Sequence, residues 1–472
     1  MKSIIYQLLP RLWGSGKFSS IDAESLDYMK GLGVSHVWYT GIIRHASKST
    51  GEKVVKGEAG SPYAITDYFD VNPYLADNKA RRMKEFEALV DRTHQAGLKA
   101  IIDFVPNHVA REYKGALGKD DDTSVHWKAE NDFYYYPGEP LVLPVRSEYK
   151  ECPAKASGNA FTSAPDINDW YETVKLNYCP WHTATWDKMY EAVRFWALKG
   201  VDGFRCDMVE LVPPEFMQWL IAKVKEEFPS VIFIAEVYQK EKYRMYIEKV
   251  GFDLLYDKSG LYDTLRAVTC SNASATEITW NWQFLQDLQP RMLNFLENHD
   301  EQRLASDFFA GCPEAGYAAM AVSLLLNTAP FMLYFGQEAG EKGMQAEGFS
   351  GLDGRTSIFD WCKVPALENP DKIVLSRYKE LLSLAETPVF SEGKTFDLCY
   401  CQDGAFNPDR HFAWLRSLDG TAKLVVANFS SAPEEITIRI IPEALSYLGI
   451  KAVRTVYTVT VPGRDYAVVT VE

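Results

Sequence analysis

Residues 186–237 read WDKMYEAVRFWALKGVDGFRCDMVELVPPEFMQWLIAKVKEEFPSVIFIAEV, and their reading decides the fold. Trp186–Lys199 and Pro214–Phe228 carry amphipathic helical patterns, whereas Gly203–Asp207 and Val231–Val237 are apolar runs of strand length. Helix, strand, helix, strand in this order is the signature of β-then-α units wound around a parallel sheet. Working outward, the same alternation predicts strands at Ile4–Leu9, His36–Thr40, Ala100–Val105, Leu254–Asp257, Met292–Glu297 and Phe331–Phe335, with further helical patterns at Lys84–Ala96 and Val374–Leu384. With the two strands first quoted the count reaches eight, the number that closes a (β/α)8 or TIM barrel.

The rhythm breaks twice. Roughly residues 109–185 are charged, Pro-rich and aromatic, with FYYYPG and PWH among them and no βα repeat, which reads as a subdomain inserted after the third strand. After about Pro388 come short alternating segments, CYCQ, HFAWLRS, KLVVANFS, EITIRI and YAVVTVE, separated by turn residues as in an antiparallel β-sandwich. The expected organisation is an α/β chain with its barrel at 1–108 and 186–388, an inserted domain at 109–185 and a C-terminal β-sandwich domain at 389–472. No internal repeat or low-complexity tract is present.

With 47% hydrophobic and 24% charged residues among 472, the chain is neither disordered, collagenous nor a coiled coil. A formal net charge of −14 repels phosphate backbones and argues against nucleic acid or an anionic membrane as the main partner. A 13% aromatic content leaves flat apolar faces for a ligand such as a sugar ring. The eight cysteines (Cys152, Cys179, Cys206, Cys270, Cys312, Cys362, Cys399 and Cys401) form no CxxC pair or zinc-like quartet and read as reduced thiols. Cys399 and Cys401, two apart in an expected strand, would share a face as small apolar residues, a bridge or metal site being the other reading. The N-terminal MKSIIYQLLPRLWG has one Lys and an apolar run broken by Gln7 and Pro10, unlike a secretory signal, and no stretch approaches about 18 uninterrupted apolar residues. A cytoplasmic protein and a clipped mature form both fit; oligomeric state is not legible.

In such a barrel, reactive groups come from the carboxyl ends of several strands. The third strand ends Asp103-Phe-Val-Pro-Asn107-His108, the fourth contains Gly203-Phe-Arg205-Cys-Asp207, the fifth runs Phe233-Ile-Ala-Glu236 and the seventh ends Glu297-Asn-His299-Asp300. Each sets ionisable residues against an apolar run, where an unpaired charge is costly to desolvate. Cleaving a glycosidic bond with retention needs one carboxylate to attack the anomeric carbon and a second carboxyl to protonate the leaving oxygen, about 5–5.5 Å apart, a spacing that neighbouring barrel strands provide. Asp207 and Glu236 fit that pair. Arg205, on the face of Asp207, would keep it ionised as the nucleophile, or is a barrel-interior ion pair; desolvation beside another carboxylate should raise Glu236 toward the range of a general acid. Asp300 would face an oxocarbenium-like transition state.

These four strings, in this order, resemble the signature regions of the α-amylase family of retaining glycoside hydrolases, and the resemblance extends to the barrel, the insertion and the C-terminal sandwich. It implies Asp207 as nucleophile, Glu236 as acid/base and Asp300 as transition-state stabiliser. It also implies that His108 and His299 hydrogen-bond the sugar in the cleaved subsite, that Arg205 is the arginine beside the nucleophile, and that Tyr63, in Ser-Pro-Tyr-Ala-Ile-Thr-Asp-Tyr, stacks on the same ring. Tyr334-Phe-Gly-Gln-Glu338 and Asp353-Gly-Arg355-Thr agree more loosely.

Two departures stand out. After Asp207 the chain reads Met-Val-Glu210-Leu211 where many α-amylases carry Lys-His, and the signature of the inserted domain is matched by Val174-Lys-Leu-Asn177 without its usual aspartate. Asn107 matches a calcium ligand of many members, so the resemblance admits a structural calcium there, beside the alternative that Asn107 fixes backbone groups. The Asp120-Asp121-Asp122 run reads as a solvated loop or as further oxygen ligands. Trp280, Trp282 and Tyr134 to Tyr136 are either ring-stacking platforms or packing. The histidines show no metal-ligand spacing. The expectation is hydrolysis of α-glucosidic, first of all α-1,4, bonds in starch-like glucans or malto-oligosaccharides by double displacement, with no cofactor needed for the chemistry. A transglycosylase or an α-glucosidase or cyclomaltodextrinase type of activity would use the same triad, and a non-catalytic glycan-binding relative would be expected to have lost part of it.

Overall fold

A strand covered by helices outside and by side chains inside has no face left for water, so its sequence is apolar at consecutive positions. That holds for β1 (Ile4–Leu8), β2 (His36–Tyr39), β3 (Lys99–Phe104), β4 (Gly203–Cys206), β5 (Ile232–Ala235), β6 (Leu254–Tyr256), β7 (Met292–Phe295) and β8 (Phe331–Tyr334), which are buried at every position but the first of β2, β3, β5 and β6. In this computed structural model, which describes residues 2–119, 121–124, 128, 130–136, 138–146, 163–178, 183–344, 348–349, 351–404 and 406–472, they close a barrel in which each strand pairs in parallel with its sequence neighbours and β8 returns to β1 through Ile4↔Phe331. The expected helices are found at Arg82–Gln95, Thr183–Leu198, Pro214–Glu227 and Lys372–Glu386. None of the described helices is long and apolar enough to cross a membrane.

After β3 the chain leaves the barrel through His108–Ala110, which pairs antiparallel with Thr173–Lys175 on the way back. These short strands hold the two ends of the insertion together above the mouth of the barrel. Asp120, Cys152, Cys179 and the Pro180-Trp181-His182 run lie outside the described residues.

The C-terminal region is built from a four-stranded antiparallel sheet, β9 (Lys394–Asp397), β10 (His411–Leu418), β11 (Thr421–Asn428) and β14 (Asp465–Thr470), and a pair, β12 (Glu434–Arg439) with β13 (Val456–Val461). Strand period decides what each face does. Ala413, Leu415, Leu424 and Val426 meet Ile436, Ile438 and Tyr457 in a core of their own. Phe412, Trp414, Val425 and Ala427 face the other way into the barrel core. Arg416, on that second face, is fully buried and gives its donors to the carbonyls of Leu326, Val389 and Phe390 and to Thr395, capping chain ends of the barrel.

The segment at Cys399 and Cys401 is not a strand. β9 stops at Asp397, whose carboxylate accepts the Cys399 N–H at 2.8 Å, and Cys399–Cys401 form a turn of 3-10 helix with both thiols free. Neighbours two apart in such a turn do not share a face, so the pair is neither a stripe nor a bridge.

β4 and β5 approach so closely that a Cβ on Gly203 would lie 2.6 Å from Ile232 Cγ1 and 3.1 Å from the Ile232 carbonyl oxygen. Gly203→Ala should therefore lower the urea midpoint by the equivalent of about 1–3 kcal/mol, the usual cost of overpacking. An unchanged midpoint would contradict this account of the strand spacing.

Candidate active site

A guanidinium with no exposed surface inside a barrel must be matched by anions, because its desolvation is otherwise prohibitive. Arg205 is such a group. Its Nη1 donates to Asp207 Oδ1 at 2.6 Å and lies 3.8 Å from Asp103 Oδ1, while Nη2 lies 2.8 Å from Glu236 Oε1 without the alignment of a hydrogen bond. Nε donates to Tyr256 OH at 3.3 Å. The rings of Trp38, Tyr63 and Tyr256 surround the guanidinium at 5.2–5.6 Å, supplying cation–π attraction where water is absent. Asp207 and Glu236 extend the strand ladder by one residue each, their N–H groups donating to Phe104 O at 2.9 Å and Cys206 O at 3.2 Å. Adjacent strand ends thus deliver two carboxyls to one cation.

Glu236 is held from its other side as well. Its Oε2 accepts the Met208 N–H at 2.7 Å and its Oε1 the Tyr238 hydroxyl at 2.8 Å. Met208 adopts φ 47°, a left-handed conformation that a side chain such as methionine seldom takes. The strain sits directly after Asp207 and turns the N–H toward Glu236, a use of backbone strain common at functional sites.

Asp300, just beyond β7, is the least buried of the three carboxylates. Its Oδ2 lies 3.1 Å from His299 Nε2, its N–H donates to Asn298 Oδ1 at 2.9 Å and its carbonyl accepts from Arg355 Nε at 2.7 Å. His299 also meets Tyr63 OH through Nε2 and Gln7 Nε2 through Nδ1 at 2.7 Å. With Gln7 donating to Nδ1, the ring proton stands on Nε2, between Tyr63 and Asp300. Tyr63 OH reaches Asp103 at 3.4 Å, and Asp103 accepts Trp38 Nε1 at 3.2 Å. His108 Nε2 lies 3.9 Å from Asp207 Oδ2, and burial lowers the His108 pKa to about 3, so the ring is neutral. Tyr63, His108, Arg205, Asp207, Glu236, His299 and Asp300 therefore converge at one end of the barrel.

The carboxyls differ electrostatically. Burial pushes Asp207 well above the ordinary carboxylate range; Arg205 pulls it down, while Glu236 and Asp300 add to the rise. Asp300 is pushed up by burial too, but His299, Arg205 and Arg355 outweigh it and hold the group at about 2. Asp207 and Glu236 face one guanidinium from adjacent strand ends.

Asn107 has a different neighbour from the one the family resemblance admits. Lys175 donates to Asn107 Oδ1, and at 2.8 Å to the carbonyl of Leu211, while Asn107 Nδ2 stands 3.1 Å from His108 Nδ1. An ammonium bridges the oxygen donors a calcium ion would need, and its charge would repel the ion. Among the described residues no cluster of three or more His, Cys, Asp or Glu side chains could hold a metal. Asp122 is an exposed loop residue bonded to Ser124, and Asp121 caps the Asp132 N–H. The residues at Asn107 do not fit calcium.

Several participants are invisible to motif reading. Gln7, Trp38 and Tyr256 are buried members of β1, β2 and β6, and Tyr238 follows β5. Their only signal was a polar group in or next to an apolar strand, and Gln7 reads in the sequence simply as a break in an apolar run. Trp282 belongs elsewhere: it lines a cleft with Lys394, Arg416 and Tyr447, at the junction with the C-terminal sheet, and Trp280 is 69% exposed on the same helix. Between the insertion and the loop after β8, a cavity of about 530 Å³ opens onto His299 and Asp300, walled by Lys56, Trp170, Phe349 and Phe359.

Residues 14–361 match the family model described as the α-amylase catalytic domain. Among curated proteins, the α-amylase MalA of Haloarcula japonica is 25% identical over 449 residues, 92% of this chain and 56% of its own length. The α-amylase 3 of Dictyoglomus thermophilum is 24% identical over 69% of this chain and 60% of its own. The chain thus spans little more than half the length of these relatives. A solved cyclic α-maltosyl-(1→6)-maltose hydrolase from Arthrobacter globiformis superimposes with a TM-score of 0.73 at 17% identity, covering 100% of this chain and 99% of that one, a likeness of fold.

Glu172, where the insertion returns, is fully buried with neither carboxylate oxygen hydrogen-bonded, and burial raises its pKa to about 7 against the pull of Lys56 and Arg111. Its folded pKa lies above the unfolded value, so its contribution to stability is complete in acid and is lost as pH rises through about 7. Glu172→Gln should remove a decline of about 3 kcal/mol in unfolding free energy between pH 4.5 and 7.5, by the 1.36 kcal/mol that accompanies each pKa unit. Urea titrations at the two pH values measure it, and an identical decline in the variant would contradict the assignment.

Proposed function

The chain belongs to the α-amylase family of glycoside hydrolases, and from that premise we propose that it hydrolyses α-glucosidic bonds, first of all α-1,4 bonds in starch-like glucans or malto-oligosaccharides, with retention. The observation that carries the reading is the buried guanidinium of Arg205 set between Asp207 and Glu236 at adjacent strand ends. In this reading 1–108 and 186–388 form the catalytic unit, with 109–185 as the inserted domain and 389–472 as the C-terminal sandwich.

Arg205 makes its short, aligned hydrogen bond to Asp207, opposing the rise that burial imposes on that carboxyl, which suits Asp207 as the attacking carboxylate and Glu236 as the acid and base. Asp207 Oδ attacks the anomeric carbon as Glu236 protonates the departing oxygen, giving a covalent glycosyl-enzyme and a free alcohol. Glu236, now ionised, takes a proton from water, whose oxygen displaces Asp207 and restores both carboxyls. Asp300, held ionised, faces the positive charge that develops on the sugar, and His108, His299 and Tyr63 contact that ring. Transfer to a sugar acceptor would use the same groups, and product profiles with and without excess acceptor distinguish the two outcomes.

Activity should show a bell-shaped dependence of kcat/KM on pH, because the Asp207–Glu236 pair works only with one proton. Below the first ionisation the nucleophile is protonated; above the second the acid is lost. A flat profile would overturn the assignment.

Glucosyl fluoride, whose leaving group needs no protonation, separates the two roles. Glu236→Ala should accumulate an adduct on the peptide containing Asp207, because the same residue must later activate water, and Asp207→Ala should form none. Intact-mass and peptide mapping test this; an adduct on Asp207→Ala, or one on Asp300, would place the nucleophile elsewhere.

We further propose that Lys175 does the work of a bound cation at Asn107, so that no resident calcium is needed there. The melting temperature should be unchanged by exhaustive chelation, since only an ion bound preferentially to the native state stabilises it. A clear fall would overturn this.

A further inference from the structure

Lys56 lies in the loop after β2 and is 4% exposed. Its Nζ stands 4.8 Å from the ring centre of Trp170, 5.5 Å from Tyr171, 5.7 Å from Phe349 and 5.5 Å from Phe359. Around it are three elements of the chain: its own loop, the return of the insertion and the loop after β8. Among the described residues, none offers its ammonium a hydrogen-bond acceptor, and no carboxylate lies within ion-pair distance. Glu172, Asp169 and Asp166 act on it only through their field. The loop is fixed in place. Gly57 sits at φ 61° with room for no Cβ, which would lie 2.3 Å from Phe359 O, and the Ala59 N–H donates to that same oxygen at 2.9 Å.

An ammonium has three donors, and one that is largely buried without a protein acceptor leaves them to water or to a ligand in the cavity it faces. The cavity that Lys56 lines is shared with His299 and Asp300, so the acceptor can be the substrate. Asp300 and Asp353 also line it opposite Lys56 and Arg355, and Asp166 and Asp169 are close by, so the lining carries no excess of positive charge for an anion and suits a neutral polyol. None of its walls comes from Glu236, Tyr238 or the segment after β4, where the leaving group is protonated in the reading above. The aromatic faces of Trp170, Phe349 and Phe359 suit the apolar face of a pyranose.

From this geometry, and resting on the glycosidase reading, we propose that Lys56 is a specificity-determining residue that donates to the hydroxyls of the glucosyl ring adjoining the cleaved one, on the side away from the leaving group. The substrate is then required to carry at least two glucosyl units ahead of the broken bond for full efficiency.

The test compares α-glucosyl fluoride, which fills only the reacting position, with α-maltosyl fluoride, which adds the second ring. Lys56→Met retains the aliphatic stem and removes the donors. It should lower kcat/KM on maltosyl fluoride by about ten-fold or more, chiefly through KM, as expected for loss of a charged hydrogen bond, while glucosyl fluoride changes by no more than about two-fold. Lys56→Gln, which keeps a shorter donor, should fall between, and it carries the same comparison if the methionine variant does not fold. Equal losses on both fluorides, or none on either, overturn the inference. A wild-type protein that cleaves neither fluoride counts against the glycosidase reading itself, and the inference falls with it.

Discussion

Arg205 is the constraint on which the upper half of the barrel depends. A fully buried guanidinium cannot be left unmatched, and the carboxyl groups of Asp103, Asp207 and Glu236 reach it from β3, β4 and β5. Three tyrosine and tryptophan rings close the remaining directions. The arrangement is costly to dehydrate and does not recommend itself as a device for stability, since apolar residues of similar size would pack as well. Its value is orientation: one cation sets the positions of two carboxyls at adjacent strand ends.

Around that centre, the supporting contacts come from every part of the barrel. Gln7 of β1 orients His299, Trp38 of β2 holds Asp103, and Tyr238 and the strained Met208 hold Glu236. Such outer contacts decide which atom of each reactive group carries a proton. They also explain why polar side chains interrupt strands that are otherwise continuously apolar.

The loops contribute cations as well. Lys175 bridges Asn107 and Leu211, joining the insertion to the ends of β3 and β4. Lys56 stands in a box of aromatic rings beside the cleft. With a net charge of −14 and a mouth crowded by carboxylates, a buried cation is a local neutraliser before it is anything else. Lys175 donates to Asn107 and Leu211, whereas among the described residues Lys56 has no hydrogen-bond acceptor, and this difference separates a structural lysine from one turned toward a ligand.

The sequence by itself determined the barrel, because eight strands buried on both faces must be apolar runs, and such runs survive reading without coordinates. It also exposed Asp103, Asp207, Glu236 and the His299-Asp300 pair, since an ionisable residue at the end of an apolar strand is conspicuous. It determined little where one residue type serves two environments. The alternation around Cys399 and Cys401 read as a strand, but Asp397 ends the ladder and caps a turn instead. Asn107 read more as a backbone clamp than as a calcium ligand, and its oxygen accepts from Lys175, 68 residues away. Trp282 read equally as a stacking platform or as packing, and its helix places it at the C-terminal junction. Lys56 gave no signal at all in a loop of ordinary polar composition. For Asn107 and Lys56 the deciding partners come from distant parts of the chain, and only the folded barrel brings them within reach.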